Sequence, residues 1–253
     1  MKKLVLTAGM VVAMLSAAFA QEYKVAKSTG RLEISEVGEV EVEGYSGNEI
    51  IFTSRDHDRT NDERAKGLRA ISSMGLEDNT GIGLSVVVKG DVIEVRQLKK
   101  MDGPDILIKV PKGIIVSYSH TSPHGSDLSL KNMENEIEVS TVHNDVHLDN
   151  VTGPMTVNTV HGDIDATLSA NMKSPISIIS VHGHVDVAMP TATKANLRMS
   201  TAWGEMFLDP DFKLEFDNKG MVKYSDNLSG KLNGGGIDIK LSSTHNNVYL
   251  RKK

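Results

Sequence analysis

The sequence predicts an all-β fold, a single-stranded parallel β-solenoid (β-helix-like) with about 18–21 residues per rung and irregular N-terminal strands that lead into it. Three observations predict this fold. Apolar and polar residues alternate over most of the chain, a two-residue turn recurs at nearly constant spacing, and the residues around that turn repeat in columns. Apolar positions two residues apart follow the period of a strand and not that of a helix.

The recurring turn has five copies in the second half of the chain. They are His143-Asn144, His161-Gly162, His182-Gly183, Trp203-Gly204 and His245-Asn246. The steps between them are 18, 21, 21 and 42 residues, and the last step is twice 21. A repeat of this length predicts stacked units, each of which needs its neighbours to bury its apolar side.

Five columns of similar residues surround the turn. Four of the columns are apolar. Two stand before the first turn residue: six residues before it are Ile137, Met155, Ile176, Leu197 and Ile239, and four residues before it are Val139, Val157, Ile178, Met199 and Leu241. Two stand after it: three residues after it are Val146, Ile164, Val185, Met206 and Val248, and five residues after it are Leu148, Ala166, Val187, Leu208 and Leu250. The fifth, two residues before the turn, contains only hydroxyls: Thr141, Thr159, Ser180, Thr201 and Ser243. We expect the apolar columns to line one core and the hydroxyls to form an internal ladder that bonds to neighbouring turns.

The second residue of each turn is glycine or asparagine. We expect it to supply the positive φ of a tight corner. Each repeat is then a strand, a corner, a second strand and a looser return, and successive repeats stack about 4.8 Å apart. The alternative is a sandwich of antiparallel hairpins, because short strands at even spacing are also typical of sandwiches.

The first twenty residues have the form of a signal peptide. Lys2 and Lys3 precede an apolar stretch from Leu4 to Leu15, and Ala18-Phe19-Ala20 has the small-x-small form of a cleavage site. We therefore expect cleavage before Gln21 and export to the periplasm, the cell surface or the medium. No later stretch approaches the roughly 20 apolar residues of a membrane span, so we expect a protein that is not integral to the membrane.

The composition excludes several classes of protein. The chain has no cysteine, which excludes disulfide scaffolds, thiol enzymes and cysteine-ligated zinc modules. Without Lys2 and Lys3 it keeps 26 basic residues against 33 acidic ones, a net charge of -7. This balance argues against a protein that binds nucleic acid by neutralising phosphates.

We interpret residues 21–253 as one domain. Residues 21–112 form its irregular leading part, with a polar excursion near 56–73 where Ala65, Leu68 and Ile71 mark one face of a short helix. Residues 113–253 hold the regular rungs and one irregular unit near 209–236, since the 42-residue step indicates a copy that has lost its signature. The charged residues 251–253 are expected to blunt one end of the stack.

Several runs resemble a known family. Residues 142–146 (VHNDV), 151–154 (VTGP), 159–164 (TVHGDI) and the closing stretches 232–237 and 247–250 are similar to the bacterial putative-adhesin family of exported β-strand-repeat proteins, a domain of unknown function. The likeness runs from about Leu32 to Lys252. It implies an exported β-solenoid related to adhesin head domains, with no catalytic residues to carry over. The chain departs from the family at its turns, where histidine or tryptophan replaces a small polar residue.

Four histidines share the corner column: His143, His161, His182 and His245. One hypothesis is that these histidines form a metal site, because imidazole is a common metal ligand. Ligand nitrogens must converge to about 2.0–2.1 Å from one zinc ion, whereas rungs are about 4.8 Å apart. We therefore predict that the column is structural, with neighbouring rings stacked, and that the protein holds no metal and no cofactor.

An acidic set follows the corner. Asp145, Asp163, His184 and Glu205 come first, and His147, Asp165 and Asp186 stand two residues further on. Paired carboxylates can cleave sugar chains or hold calcium. The alternation nevertheless places them on the outward face, where aspartate is normally solvated, and the sequence contains no nucleophile elbow, zinc-protease helix, phosphate loop or dinucleotide fingerprint.

The exposed aromatic residues suggest a contact patch. Trp203, Phe207 and Tyr249, together with Asp165 and Asp186, are our candidates for binding, since aromatic residues are enriched in contacts. The alternative is that the aromatic residues are shielded under the irregular unit. We predict a non-enzymatic adhesin-like binding or structural protein that presents a repetitive β face to a surface polysaccharide or envelope protein. Its rivals are a polysaccharide-cleaving hydrolase or lyase on the same scaffold and a scaffold that self-associates end to end.

Overall fold

The computed structural model describes residues 22–55, 63–216 and 227–253. The predicted signal peptide, residues 56–62 of the predicted excursion and residues 217–226 of the predicted irregular unit lie outside these ranges. The strands, in chain order, are β1 (Glu22–Val25), β2 (Thr29–Ser35), β3 (Glu39–Tyr45), β4 (Ile50–Ser54), β5 (Leu84–Lys89), β6 (Val92–Gln97), β7 (Asp105–Pro111), β8 (Gly113–His120), β9 (Leu128–Lys131), β10 (Ile137–Thr141), β11 (Val146–Val151), β12 (Met155–Thr159), β13 (Ile164–Leu168), β14 (Ile176–Ser180), β15 (Val185–Met189), β16 (Ala195–Thr201), β17 (Met206–Leu208), β18 (Leu214–Phe216), β19 (Asn227–Leu232), β20 (Ile237–Ser243) and β21 (Val248–Lys252).

These strands form two sheets whose central strands are parallel. Sheet A has the order β1-β4-β7-β3-β9-β11-β13-β15-β21-β17, and sheet B has the order β18-β19-β16-β20-β14-β12-β10-β8-β2-β6-β5. Each rung contributes one strand to each sheet, as β10 and β11 do, and successive rungs pair in parallel. The predicted all-β parallel solenoid is confirmed, and the antiparallel sandwich is not the fold.

The apolar columns line the space between the sheets. Of their twenty members, eighteen are no more than 4% exposed, from Val185 at 0% to Ala166 at 4%. The outward residues between them are half-buried or exposed. The strand period therefore separates core from surface as predicted. The two exceptions, Met206 and Leu208, lie in β17 and are half-buried.

The hydroxyl column is an internal ladder, and it bonds in two directions. The Ser180 hydroxyl accepts the N–H of Gly183 in its own corner (2.9 Å) and donates to the carbonyl of Gly162 in the next rung (3.0 Å). Ser243 and Thr201 repeat this arrangement. Each of these three hydroxyls thereby bonds to two backbone groups and ties one rung to its neighbour, whereas Thr141 and Thr159 bond within their own corners.

The corner glycines have a different role from the predicted one. Gly162, Gly183 and Gly204 do not have positive φ values, and neither do the turn residues before them. A Cβ on Gly183 would instead lie well inside 3.0 Å of the Gly162 carbonyl oxygen. Glycine is needed because the rungs approach closely at the corner, so the expectation of a left-handed corner residue was wrong.

The rungs do not stack in sequence order. Strand β20 lies between β14 and β16, and β21 lies between β15 and β17. The His245 rung is therefore inserted between the His182 rung and the Trp203 rung, which is the end rung of the solenoid. Instead of a further rung between Trp203 and His245, the described residues contain β19, which pairs antiparallel with β16, and β18, which pairs antiparallel with β19 and extends sheet B further.

The other end of the solenoid also has an inserted rung, followed by antiparallel strands that extend the sheets. Strands β2 and β3 pair in parallel between β8–β9 on one side and β6–β7 on the other. Strands β4, β1 and β5 then extend the sheets antiparallel. In the excursion, the described helix is a single 3-10 turn, Glu63–Ala65. Leu68 and Ile71 are 73% and 64% exposed, so the short helix with an apolar face was a wrong prediction.

Candidate functional site

The corner histidines form a continuous stack of rings. Centroids are 5.1 Å apart between His143 and His161, 4.8 Å between His161 and His182, and 4.6 Å between His182 and His245. The interplanar angles fall from 23° to 6° along this series. Trp203 adds a fifth ring, 6.4 Å from His245 and 5° from parallel. The predicted stacking is thus present, and every ring of the column is exposed at the corner.

Stacking determines what the column can do chemically. The lone pair of an imidazole nitrogen lies in the plane of its ring, so parallel rings about one rung apart direct their lone pairs side by side rather than at one ion. Among residues 22–55, 63–216 and 227–253, no three histidine or acidic side chains are grouped to hold a metal ion. Partial desolvation and the neighbouring His245 and His161 rings lower the pKa of His182.

A second histidine row lies beside the column, on the outer face of sheet A. His184 contacts Asp163 through Nδ1 (3.0 Å) and Asp165 through Nε2 (3.1 Å). His147 lies between Asp165 (3.6 Å) and Asp127 (3.7 Å). The predicted acidic set is therefore interleaved with histidines, and a carboxylate such as Asp165 has an imidazole on either side.

The candidate patch is one column of outward side chains. Asp165, Asp186, Tyr249 and Phe207 occupy matching positions in successive rungs, because their Cα atoms are register partners. Trp203 lies on the adjacent corner of the end rung. The structure thus places four of the five residues predicted from sequence in one column and Trp203 at the corner of its end rung, and the order in which Tyr249 precedes Phe207 depends on the inserted rung.

Arg251 connects the acidic and aromatic parts of this column. Its Nε lies 2.8 Å from both carboxylate oxygens of Asp186, and its guanidinium lies 5.0 Å from the centre of the Tyr249 ring. The Tyr249 ring stacks on Phe207 at 5.0 Å and 10°. The position of Arg251 near the end of the sequence predicts a charged residue that blunts one end of the stack. That prediction was wrong, because β21 lies between two strands. The alternation did contain the signal: Arg251 stands two residues after the outward Tyr249.

The open surface around these residues is shallow. A groove of about 350 Å³ runs along the outer face of sheet A and is lined by His147, Asp165, Asp186 and Arg251 among others. Asp165 and Asp186 face it from adjacent rungs. Both are held by basic partners, and neither is enclosed, so the groove differs from the cleft that a pair of catalytic carboxylates flanks.

The aromatic end of the column is the most exposed part of the site. Trp203 is 78% and Phe207 43% exposed. Each belongs to the end rung, so each ring packs on one neighbour, His245 or Tyr249, and turns its other face away from the stack. The shielded alternative is therefore not found for these two rings within the described residues.

One buried polar residue escaped the sequence analysis. His120 of β8 is 1% exposed and occupies the position of the hydroxyl ladder, as the register partner of Thr141. Burial lowers the pKa of His120, and Glu36, 4.0 Å away, acts in the opposite direction. The register of β8 with β10 was the missing information, since the turn after His120 lacks the repeat signature.

Fold and surface together define a parallel β-solenoid with a stacked-ring corner and an aromatic end. The family model of Toastrack DUF4097 matches residues 121–251, just over half of the chain, and the chain belongs to this family. No curated protein matches the sequence.

Two solved structures are similar over nearly the whole chain. One is a putative cell adhesion protein from Clostridium sporogenes ATCC 15579, with 13% sequence identity, coverage of 93% of this chain and 100% of that chain, and a TM-score of 0.43. The other is a putative adhesin from Bacteroides fragilis NCTC 9343, with 11% identity, coverage of 94% and 98%, and a TM-score of 0.38. Across the described ranges, no helix has the length and apolar character needed to span a membrane.

Proposed function

We propose that the protein is an exported, non-enzymatic binding module of the adhesin type. It presents the outer column of sheet A and the adjoining corner to a surface polysaccharide or an envelope protein. The binding residues are Trp203, Phe207 and Tyr249, with Asp165 and Asp186 as polar contacts, and the histidine column is structural support for the corner.

The exposure of Trp203 and Phe207 carries this proposal. An aromatic ring with one face packed is already oriented, so binding through its free face costs little side-chain entropy. Trp203 is 78% exposed and Phe207 43%, on the same end rung. Aromatic residues in such positions are enriched among the residues that dominate binding energy.

The carboxylates support contact rather than cleavage. Glycosidases use one carboxyl group as an acid and another as a base or nucleophile across the scissile bond. Here Asp186 is held by Arg251 at 2.8 Å and Asp165 lies 3.1 Å from His184, on an open face. Such pairs can instead accept hydrogen bonds from sugar hydroxyls or from a partner's backbone.

A retention experiment with envelope fractions tests the proposal. The exported protein is purified and incubated with insoluble envelope polysaccharide and with solubilised envelope proteins. Trp203→Ala and Phe207→Ala should each weaken retention by about tenfold or more, as expected for residues at the centre of an interface. Phe216→Ala is the matched control, because Phe216 is also exposed (60%) but belongs to β18 of sheet B.

Two outcomes would contradict the proposal. Retention that is unchanged in both aromatic variants would exclude the patch. Release of soluble sugars from the polysaccharide, abolished by Asp165→Asn or Asp186→Asn, would establish the cleaving enzyme instead. Export is tested separately by N-terminal sequencing of the exported protein, which should begin at Gln21.

A further inference from the structure

Within the described residues, the end rung leaves one strand edge uncovered. Sheet B continues past β16 with β19 and β18, whereas sheet A stops at β17. In the part of the chain that the structure describes, β17 pairs only with β21. The described residues therefore form a step at this end of the solenoid: two antiparallel strands cover its sheet B half, and no described strand covers its sheet A half.

The open side of β17 presents backbone hydrogen-bonding groups. The carbonyl of Glu205 and the N–H of Asp209 both bond to β21, at 2.9 Å each. Backbone groups alternate between the two sides of a strand in a parallel pair, so the N–H and C=O groups of Met206 and Leu208 point away from β21. They are placed to bond to one further strand.

The side chains of β17 also indicate a missing neighbour. Met206 and Leu208 are half-buried, although their register partners Val248 and Leu250 are 0% and 1% exposed. Natural edge strands are usually blunted by charge, proline or a bulge. This edge is short and has acidic residues, Glu205 and Asp209, only at its two ends, and Phe207, 43% exposed, lies at its centre.

Charge argues against a second copy of the chain as that neighbour. Two copies of β17 paired antiparallel about Phe207 would place Glu205 of one copy opposite Asp209 of the other. Like charges directly across a strand pair are destabilising. A basic strand would have the opposite effect at both positions.

We propose that β17 accepts one extended basic strand from a partner polypeptide. The strand bonds to the free N–H and C=O groups of Met206 and Leu208. Its inward side chains are apolar and cover Met206 and Leu208, and its outward side chains are lysine or arginine and lie beside Glu205 and Asp209. This inference rests on the proposed function and identifies its partner as a protein segment with alternating basic and apolar residues.

Fluorescent peptides of about seven residues, the length of an ordinary strand, test the inference. One alternates lysine and valine, a second alternates glutamate and valine, and a third is the lysine peptide with N-methyl groups on alternate amides. Anisotropy with the full-length protein should show binding of the first peptide and about tenfold or greater loss for the other two. Equal binding of the methylated peptide would overturn strand addition, because only backbone pairing requires those N–H groups.

Protein variants locate the peptide. Glu205→Lys should weaken the lysine peptide and strengthen the glutamate peptide, whereas Glu215→Lys on β18 should change neither. Met206→Pro removes an N–H that faces the open side and keeps the bonds to β21, so it should abolish binding. Unchanged binding to Glu205→Lys would refute the site even where Met206→Pro fails to fold.

Sedimentation and envelope retention separate this inference from its alternatives. Dimerisation of the full-length protein that Glu205→Lys strengthens would identify a second copy as the occupant and overturn the basic partner. Envelope retention through Trp203 and Phe207 without peptide binding would refute strand addition alone. Peptide binding without any envelope retention would refute the proposed function instead.

Discussion

Trp203 stacks on His245 with ring centroids 6.4 Å apart and planes 5° from parallel, although 42 residues separate them in the chain. His182, which precedes Trp203 by 21 residues, stacks 4.6 Å from the same histidine. His245 is thus held between a ring that precedes it by 63 residues and one that precedes it by 42. The rings form one continuous column, although the order of the rungs in the stack differs from their order in the sequence.

Ser243→Ala tests this rung order. The Ser243 hydroxyl donates to the carbonyl of Gly183 at 2.7 Å and accepts the Asn246 N–H at 3.0 Å. Its removal leaves one buried and one half-buried backbone group without this partner, which should lower the free energy of unfolding by about 1–3 kcal/mol. Urea unfolding followed by the fluorescence of the single tryptophan measures the change. Ser177→Ala, on the outer face of sheet B, is the control and should have little effect.

Val185→Asp tests the inward register. Val185 is 0% exposed between its register partners Ile164 and Val248. A charge there has no partner, so the variant should lose about 4 kcal/mol or more and fail to fold cooperatively. Asp186→Ala, one residue along, should cost at most about 1 kcal/mol, since it removes a surface pair with Arg251. Similar urea midpoints for the two variants would contradict the alternation.

Gly183→Ala tests the reason for glycine at the corner. An added Cβ would collide with the backbone of Gly162, so one rung would have to move away from the next. Overpacking of this kind should cost about 1–3 kcal/mol, measured by thermal unfolding. Gly38→Ala is the matched control, because its Cβ would meet no atom closer than 3.7 Å and its φ is not positive. Equal stability of the two variants would show that the rungs can separate freely at the corner.

The histidine column predicts a pH dependence of stability. Desolvation and neighbouring imidazoles lower the pKa of His182, and burial lowers that of His120. The unfolded chain, with histidine pKa values near about 6.5, then binds protons more readily than the folded one. Stability should be complete above about pH 6.5 and should fall as the pH drops through this value toward the folded pKa values.

Urea unfolding at several pH values measures this effect. His182→Asn should reduce the slope of stability against pH, whereas His124→Asn, outside the column, should leave it unchanged. Proton NMR should show a depressed His182 titration, and calorimetry with zinc should show at most weak binding. A His182 titration at the value of free histidine would refute the electrostatic coupling, and tight stoichiometric zinc binding would refute the structural role of the column.

The inward columns, the hydroxyl ladder and the stacked corner were predictable because each depends only on position within a repeat. Ile164 and Val185 have the same place in their rungs, and an alternation of period two fixes which way they point. The order of the rungs was not predictable in this way. Val248 fits beside Val185 or beside Met206 equally well as a residue type, so the columns alone do not say which rungs are adjacent.

The errors in the predicted site have the same cause, because they too depend on which rungs are adjacent. Arg251 was assigned to an exposed end because it stands near the end of the sequence, but β21 is an interior strand and places its guanidinium over Tyr249. The corner glycines were expected to have positive φ because of their residue type. The reason for glycine at these positions is instead the close approach of the neighbouring rung. Contacts between rungs, and not the pattern within one, determine both.

The chain is synthesised from its amino end, so the insertion of the His245 rung between two earlier rungs constrains the order in which the stack can assemble. When the segment with β16 and β17 appears, the strands that will pair with it in parallel, β20 and β21, do not yet exist. The earlier rungs can stack on one another up to β14 and β15, but the end rung cannot reach its native neighbours until residues 237–252 have emerged. Residues 237–252 then pair with β14 and β15 on one side and with β16 and β17 on the other. Assembly therefore finishes with a closing step in which the last residues to emerge join the two parts of the stack.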